Sequence, residues 1–267
     1  MLSRPIAFVS DFGHADEFVG VVHGVILRVD PHARIVDVNH GVRRGDVMAG
    51  ALSLLRAIQY LPGGVALAVV DPGVGTSRAA IAVETEWGHF VGPDNGLLAP
   101  ATAMVGGALR VVSLEAEEFR LPAAGSTFDG RDVFAPAAAV LASGEADLTD
   151  LGPEIAPETL VPLLLPLVEH GEDRVQGQVW WIDGFGNAQT NVSPDDLALI
   201  GIGSGDELQL IMGQGSHVIR WGDAYQAPGP MIHVDAHGLM AIVVPGGSAA
   251  EDLTLHEGLS VGLRSLT

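Results

Sequence analysis

The chain has 267 residues, of which 48% are apolar and 17% charged, with a formal net charge of −20. That length suits one large α/β domain plus a smaller one, or a single barrel, and the acidic field repels DNA or RNA while favouring a cationic small molecule or simply aiding solubility. There are no cysteines and all 13 basic residues are arginine, which excludes thiolate catalysis, zinc–thiolate sites, disulfides, Schiff-base chemistry and a complete Walker A loop.

From the N-terminus, MLSRPIAFVSDFG turns polar at Ser10 and Asp11 without the apolar run of a signal peptide. No stretch approaches ~18 uninterrupted apolar residues, so neither a membrane span nor a membrane partner is expected, and a cytoplasmic location is. IAFVS (6–10) reads as a strand, and residues 16–30 as a helix with Phe18, Val21, Val22, Val25 and Ile26 at helical spacing. IVDV (35–38) is a second strand and 46–60 a second helix. VALAVV (65–70) is a third strand, continuously apolar as in a strand buried on both faces. AIAVE (80–84) and HFVG (89–92) follow as further, paired strands, and RDVFAPAAAVLASG (131–144) as a late helix ending at Gly144. This alternation predicts an α/β fold with a mainly parallel N-terminal sheet flanked by helices over 1–165. Residues 145–175, rich in Pro, Glu, Asp and Leu, read as a linker. From 176 to 267 short strands and turns (QVWWID, TNV, ELQLI, HVIRW, MIHV, LMAIVV, LSVGL) predict a smaller C-terminal β-barrel domain. No internal repeat is seen.

Ligands of open parallel sheets bind beyond the carboxyl ends of the strands. There the first strand supplies Asp11, His14 and Asp16, the second Asn39 and His40, and the third Asp71, a glycine turn and Arg78; GPDNG adds Asp94 and Asn95. Each has a plainer reading. Asp11 and Asp16 are candidate helix caps, GVG (73–75) and DNG (94–96) are turn sequences, and lone histidines are more often structural. Asp71 is harder to dismiss, because an aspartate closing a buried strand needs a partner, which Arg78 can be, or a ligand. TFDGRD (127–132) is a second acidic cluster, with Asp129, Arg131 and Asp132 opening a helix, and helix capping plus an Arg pair is its plainer reading. In the barrel, IDGFGNAQTN offers Asp183, Phe185, Asn187 and Asn191; an aromatic beside an asparagine suits a purine, or else the segment is a β-turn on a core Phe.

The segments SDFGHADEF, VDVNHGV, DPGVGTSR, GPDNGLL, TFDGRDVFAP, IDGFGNAQTN and GLMAIVVPGGSAAE, in this order, resemble the S-adenosylmethionine hydrolases (adenosine-forming), also called hydroxide adenosyltransferases and related to fluorinases and chlorinases. The resemblance covers almost the whole chain. It implies an α/β N-terminal domain, a β-barrel C-terminal domain, and homotrimers with substrate held between the N-domain of one subunit and the C-domain of its neighbour. It further implies hydrolysis of S-adenosyl-L-methionine at ribose C5′ to adenosine and L-methionine; no cofactor is expected, and no tight metal-ligand spacing such as HExxH points to a metal. By the same resemblance Asp11 would grip the ribose hydroxyls, Asp16 and Asp183 would face the methionine ammonium, and Asp94 and Asn95 would also bind substrate. Phe185 and Asn187 would contact the adenine. Asp71 and Arg78 would be two members of a water-activating triad. The family carries histidine in the pattern T-F-H-G-R-D where this chain has Asp129, and near Ala236 and His237 it departs from the Ser-Arg pair of the halogenases.

The substrate's sulfonium and ammonium charges fit carboxylates, and the sulfonium is a good leaving group, so the remaining need is an aligned, desolvated water. Asp71 braced by Arg78 would orient or deprotonate it. Asp129 would be a second carboxylate nearby, and two close carboxylates would leave one of them holding a proton. A halide beside them would be repelled, which disfavours a halogenase. Two other readings stay open: a binder of adenosyl compounds in which Asp129 marks a lost triad, and a metal-dependent hydrolase drawing on Asp11, His14, Asp16, His40, Asp71 and Asp94.

Overall fold

The computed structural model describes residues 3–213, 215–223 and 228–266. The chain divides into two compact units, Met1–Leu164 and Leu165–Thr267. In the first unit β1 (Pro5–Ser10), β2 (Arg34–Asn39), β3 (Val65–Val69), β4 (Ala80–Glu84), β5 (His89–Pro93), β6 (Arg110–Ser113) and β7 (Glu154–Ile155) form one sheet in the order β2-β1-β3-β5-β4-β6-β7. β2, β1, β3 and β5 are parallel, and β4, β6 and β7 extend the sheet antiparallel beyond β5.

β3 shows why an unbroken apolar run becomes a central strand. Its side chains alternate between two cores. Val65, Leu67 and Val69 pack with Val22 and Ile26 of helix α1 (Phe18–Val29) and with residues that lead into and through the late helix. Ala66, Ala68 and Val70 pack with Leu54 and Ile58 of α2 (Val47–Ile58) and Ala101 of α3 (Ala99–Met104). α4 (Ala135–Ser143) completes the first of these layers and is apolar on nearly all sides, with Ala137, Ala138 and Leu141 buried against the sheet. It ends, as expected, where Gly144 turns left-handed at φ +76°. Its entry differs from an ordinary helix start: residues Gly130–Phe134 form a widened π turn directly after Asp129. The sequence pattern did not point to α3 or β6, which are too short to show periodicity. The stretch read as a linker is partly built into the fold, since β7 pairs with β6.

The second unit holds β8 (Glu169–His170), β9 (Arg174–Ile182), β10 (Ala188–Thr190), β11 (Glu207–Met212), β12 (Gly215–Trp221), β13 (Met231–Val234), β14 (Met240–Val243) and β15 (Ser260–Ser265). Seven of these close into a barrel, β10-β14-β13-β12-β11-β15-β9 with β9 returning to β10, and β8 adds to β9 outside the ring. Alternate residues such as Val175, Leu208, Leu210, Ile242 and Leu263 fill it. Two short helices, α5 (Pro194–Ala198) and α6 (Ala249–Asp252), complete this unit; α5 starts with a reciprocal cap between Ser193 and Asp196.

Candidate active site

The carboxyl ends of β1 and β3 bring Asp11 and Asp71 into one cleft of about 480 Å³, shared with Asp16 and Arg44. Three carboxylates facing a single guanidinium make it a place for a cation. Asp11 is fixed from the neighbouring loop, where the Gly45 N–H donates to its Oδ2 at 2.7 Å. The turn beyond it needs Gly13, whose φ of +68° would strain any other residue and whose N–H donates to the His40 carbonyl at 2.8 Å. Neither Asp11 nor Asp16 caps α1: the capping position is Glu17, with no side-chain hydrogen bond. Both aspartates therefore remain turned to other work, with Asp16 exposed.

Asp71 is held by Arg78, whose Nε donates to both carboxylate oxygens at 3.0 and 2.9 Å and whose Nη2 also donates to Oδ2. The same Nη2 donates to Oδ2 of Asp129 at 2.5 Å. The guanidinium thus lies between the two carboxylates, over the Phe134 ring at 5.2 Å from its centroid. It is nearly buried. Burial disfavours its charge, but the hydrogen bonds and charges of Asp71 and Asp129 outweigh that and raise its pKa, so it stays a cation. The guanidinium bridges the two carboxylates and so offsets the repulsion expected of an acidic pair. Of the three, Asp71 lines the cleft. Asp129 makes no capping bond to the helix it precedes, whereas Arg131 and Asp132 form the pair expected of them, at 2.6 and 2.9 Å.

The aromatic wall of the cleft was not anticipated. Phe12, Phe18 and Phe128 pack on one another, with ring centroids 5.1–5.9 Å apart, and all three line it. Phe12 and Phe128 sit inside the motifs SDFG and TFDGRD, next to the aspartates that drew attention. An aromatic adjacent to a candidate carboxylate is the signal that would have found them.

Asp94 and Asn95 are not among the residues that line this cleft. Asn95 donates to the Val70 carbonyl at 2.9 Å and accepts the Leu97 N–H, steadying the chain just before Asp71. Asp94 accepts the Val161 N–H at 2.9 Å and lines a separate, largely apolar cavity of about 440 Å³ with Leu98, Thr102 and Val161. His14 is exposed, and His40 is buried among Ser10, Asp37 and Phe8. Burial lowers the His40 pKa despite the Asp37 carboxylate beside it.

In the second unit the IDGFGN segment is a turn built by its own aspartate. Asp183 Oδ1 accepts the N–H groups of Phe185 and Asn187, both at 2.9 Å, and Oδ2 accepts the Asn187 side-chain amide at 2.9 Å. Phe185 projects from it, 83% exposed, so it is not a core residue. Asp183 and Asn187 line a cleft of about 240 Å³ with Trp181, Gln189, Asp235 and His237. Asn191 does not join them. It is buried, accepts the Gln178 N–H at 2.7 Å and donates to the Pro166 carbonyl at 3.0 Å, which is a structural role.

Comparison with known proteins follows the same division. Residues 6–152 match the family model for the SAM hydroxide adenosyltransferase N-terminal domain, and residues 177–262 that for the C-terminal domain. A Salinispora tropica protein named (R)-S-adenosyl-L-methionine hydrolase is 44% identical over 254 residues, 95% of each chain. A Thermus thermophilus protein of the same name is 40% identical, covering 97% of this chain and 99% of its own. Among solved structures, an uncharacterized conserved protein from Thermotoga maritima superposes with a TM-score of 0.88 at 31% identity, covering 97% of this chain and 99% of that one.

Proposed function

We propose that this chain, which belongs to the SAM hydroxide adenosyltransferase family, hydrolyses S-adenosyl-L-methionine at ribose C5′ to adenosine and L-methionine. The names of its relatives specify the R configuration at sulfur, and we extend that preference to this chain. The observation that carries the reading is the acid-lined cleft with Asp71 at its wall and Arg78 behind. A substrate bearing a sulfonium and an ammonium suits three carboxylates set against one arginine.

In this mechanism a water attacks C5′ in line with the C5′–S bond. The bond's electron pair leaves with sulfur, which becomes the neutral thioether of methionine, and a water proton passes to the Asp71 carboxylate. A departing sulfonium asks little of the nucleophile, so alignment and removal of bulk solvent matter more than a strong base. Arg78 fixes the plane of Asp71, and Asp129 fixes Arg78. Asp11 binds the ribose hydroxyls and Asp16 the ammonium, with Asp183 beside it through whatever acceptor capacity its own turn leaves free. Phe185 and Asn187 take the adenine, by stacking and by hydrogen bonds to its edge. We extend the family's homotrimer, with sites completed by neighbouring subunits, to this chain. No nucleic acid or membrane partner and no cofactor enters the proposal, and we assign the protein to the cytoplasm. Among the described residues no helix is long and apolar enough to cross a membrane.

The test is a chromatographic assay of purified protein with each sulfur epimer of S-adenosyl-L-methionine, with and without chloride and with EDTA. Adenosine and methionine, formed faster from the R epimer and unaffected by chloride or EDTA, are expected. Saturable binding without product would establish the binder reading, in which Asp129 in place of the family's histidine silences the site. A 5′-halo-adenosine would establish a halogenase. Loss of activity in EDTA would favour the metal-dependent reading.

A further inference from the structure

Away from the cleft, three side chains of the first unit converge on one point. His23 Nε2 lies 2.8 Å and His40 Nε2 2.9 Å from the same oxygen, Oδ1 of Asp37. Among the described residues this is the one group of three whose candidate ligand atoms all lie within 4.8 Å of one another. His23 stands on α1 and Asp37 on β2, and His40 directly follows β2. Between Phe8 and Val9 the pairing of β1 with β2 skips a residue, so that Val9 meets Asn39. This irregularity brings Asp37 and His40, three apart, to one side. We propose that His23, Asp37 and His40 form a binding site for one divalent transition-metal ion of the zinc type.

Two imidazoles and a carboxylate, with room for water, are a common donor set for zinc and its neighbours. A tetrahedral zinc ion at ~2.0–2.1 Å from each nitrogen sets those nitrogens about 3.4 Å apart. The His23 side chain, partly exposed on its helix, has the freedom to close that distance, while the fully buried His40 stays fixed. The outer shell is also present. Ser10 Oγ lies 2.7 Å from His40 Nδ1 in a buried setting, and metal-binding histidines are held at their second nitrogen in this way. A hydroxyl suits both states of the site. Without metal, His40 Nε2–H donates to Asp37 and the Ser10 hydroxyl donates to Nδ1. With metal, Nε2 gives its lone pair to the ion, and Nδ1–H donates to Ser10 Oγ. The ring changes tautomer without losing a partner, so the empty site is a folded one. Asp37 and His23 reach solvent, which gives an ion its path in.

The site is distinct from the cleft: none of its three residues lines it. Its test therefore reads binding. Chelator-treated, dialysed full-length protein would be titrated with ZnCl₂ by isothermal calorimetry, alongside His23→Ala, Asp37→Asn and His170→Ala. Even outer-shell changes shift metal affinity 10–100-fold, so loss of a ligand should cost at least ~10-fold. One equivalent of Zn²⁺ is expected, weakened at least ~10-fold in H23A and in D37N. H170A is the control: His170 pairs with Asp196 at 2.7 Å as a lone imidazole, and removing it should change nothing. Thermal unfolding should move upward with Zn²⁺ in the parent protein and not in H23A, whose partly exposed position on α1 lets the fold form. No saturable binding in the parent, or an equivalent retained at full affinity in H23A, would overturn the proposal.

Discussion

Asp71 and Asp183 enter from matching contexts. Each follows a strand and opens a glycine-containing turn, DPGVG in the first unit and DGFGN in the second. Folding gives them different surroundings. Asp183 spends its oxygens on its own turn, accepting two backbone N–H groups and a side-chain amide within four residues. Asp71 is held by a guanidinium seven residues on and lines an acidic cleft. A carboxylate bonded into its own turn fixes the geometry of its neighbours, here Phe185 and Asn187. One held by a side chain from outside the cleft has its carboxylate fixed at the cleft wall, where a water can be met.

The sharpest way to break this contrast is Asp71→Asn. The amide keeps the shape but neither the charge nor the capacity to take a proton, and turnover should fall ~100-fold or more, the scale of general-base catalysis. Single-turnover formation of adenosine would measure it, and turnover within threefold of the parent would put the water elsewhere. Asp129→Asn should be milder. Asp129 acts through Arg78, which Asp71 still holds in a bidentate grip, so kcat should drop about tenfold with KM little changed. Asp129→His, restoring the residue of the resembling family, should keep more activity than the asparagine. If D129N matched the loss in D71N, the two carboxylates would be equal partners at the water.

How much of this was legible depended on sequence distance. The Asp71–Arg78 pair could be read because it is local, and because an aspartate ending a wholly apolar strand has to be compensated. Asp129 lies 51 positions from Arg78; no spacing rule connects them, and only the resemblance of TFDGRD to a family pattern did so. The two-sided sheet was legible in the continuous VALAVV run, while α3 and β6 were too short to carry a period. Phe18 shares the helical spacing of Val22 and Ile26, yet as the first residue of α1 it is exposed and borders the cleft instead of joining the core. Asn191 is a candidate from the sequence only because it belongs to the IDGFGNAQTN segment. It lies just beyond β10, where its side chain serves the Gln178 and Pro166 backbone instead.

The second unit gives the smaller effects. Phe185 is exposed and anchors nothing, so Phe185→Ala should leave thermal unfolding unchanged and raise KM about fivefold, the lower end of what base–aromatic stacking contributes. An unchanged KM would remove Phe185 from the adenine site.

Asp183→Asn should do the reverse. The new amide can keep its oxygen on the Phe185 and Asn187 N–H groups and donate its NH₂ to a flipped Asn187 side chain, which replaces charge-assisted hydrogen bonds by neutral ones and turns the Asn187 amide over. The turn should lose about 1 kcal/mol, the difference between charge-assisted and neutral hydrogen bonds, seen as a few degrees in Tm. If the carboxylate serves mainly the turn, KM in D183N should rise no further than in F185A, because the variant disturbs binding only by loosening the presentation of Phe185 and Asn187. A KM rise well beyond that of F185A with Tm unchanged would mean that Asp183 meets the substrate's ammonium directly, and that the two aspartates differ less than their hydrogen bonds suggest.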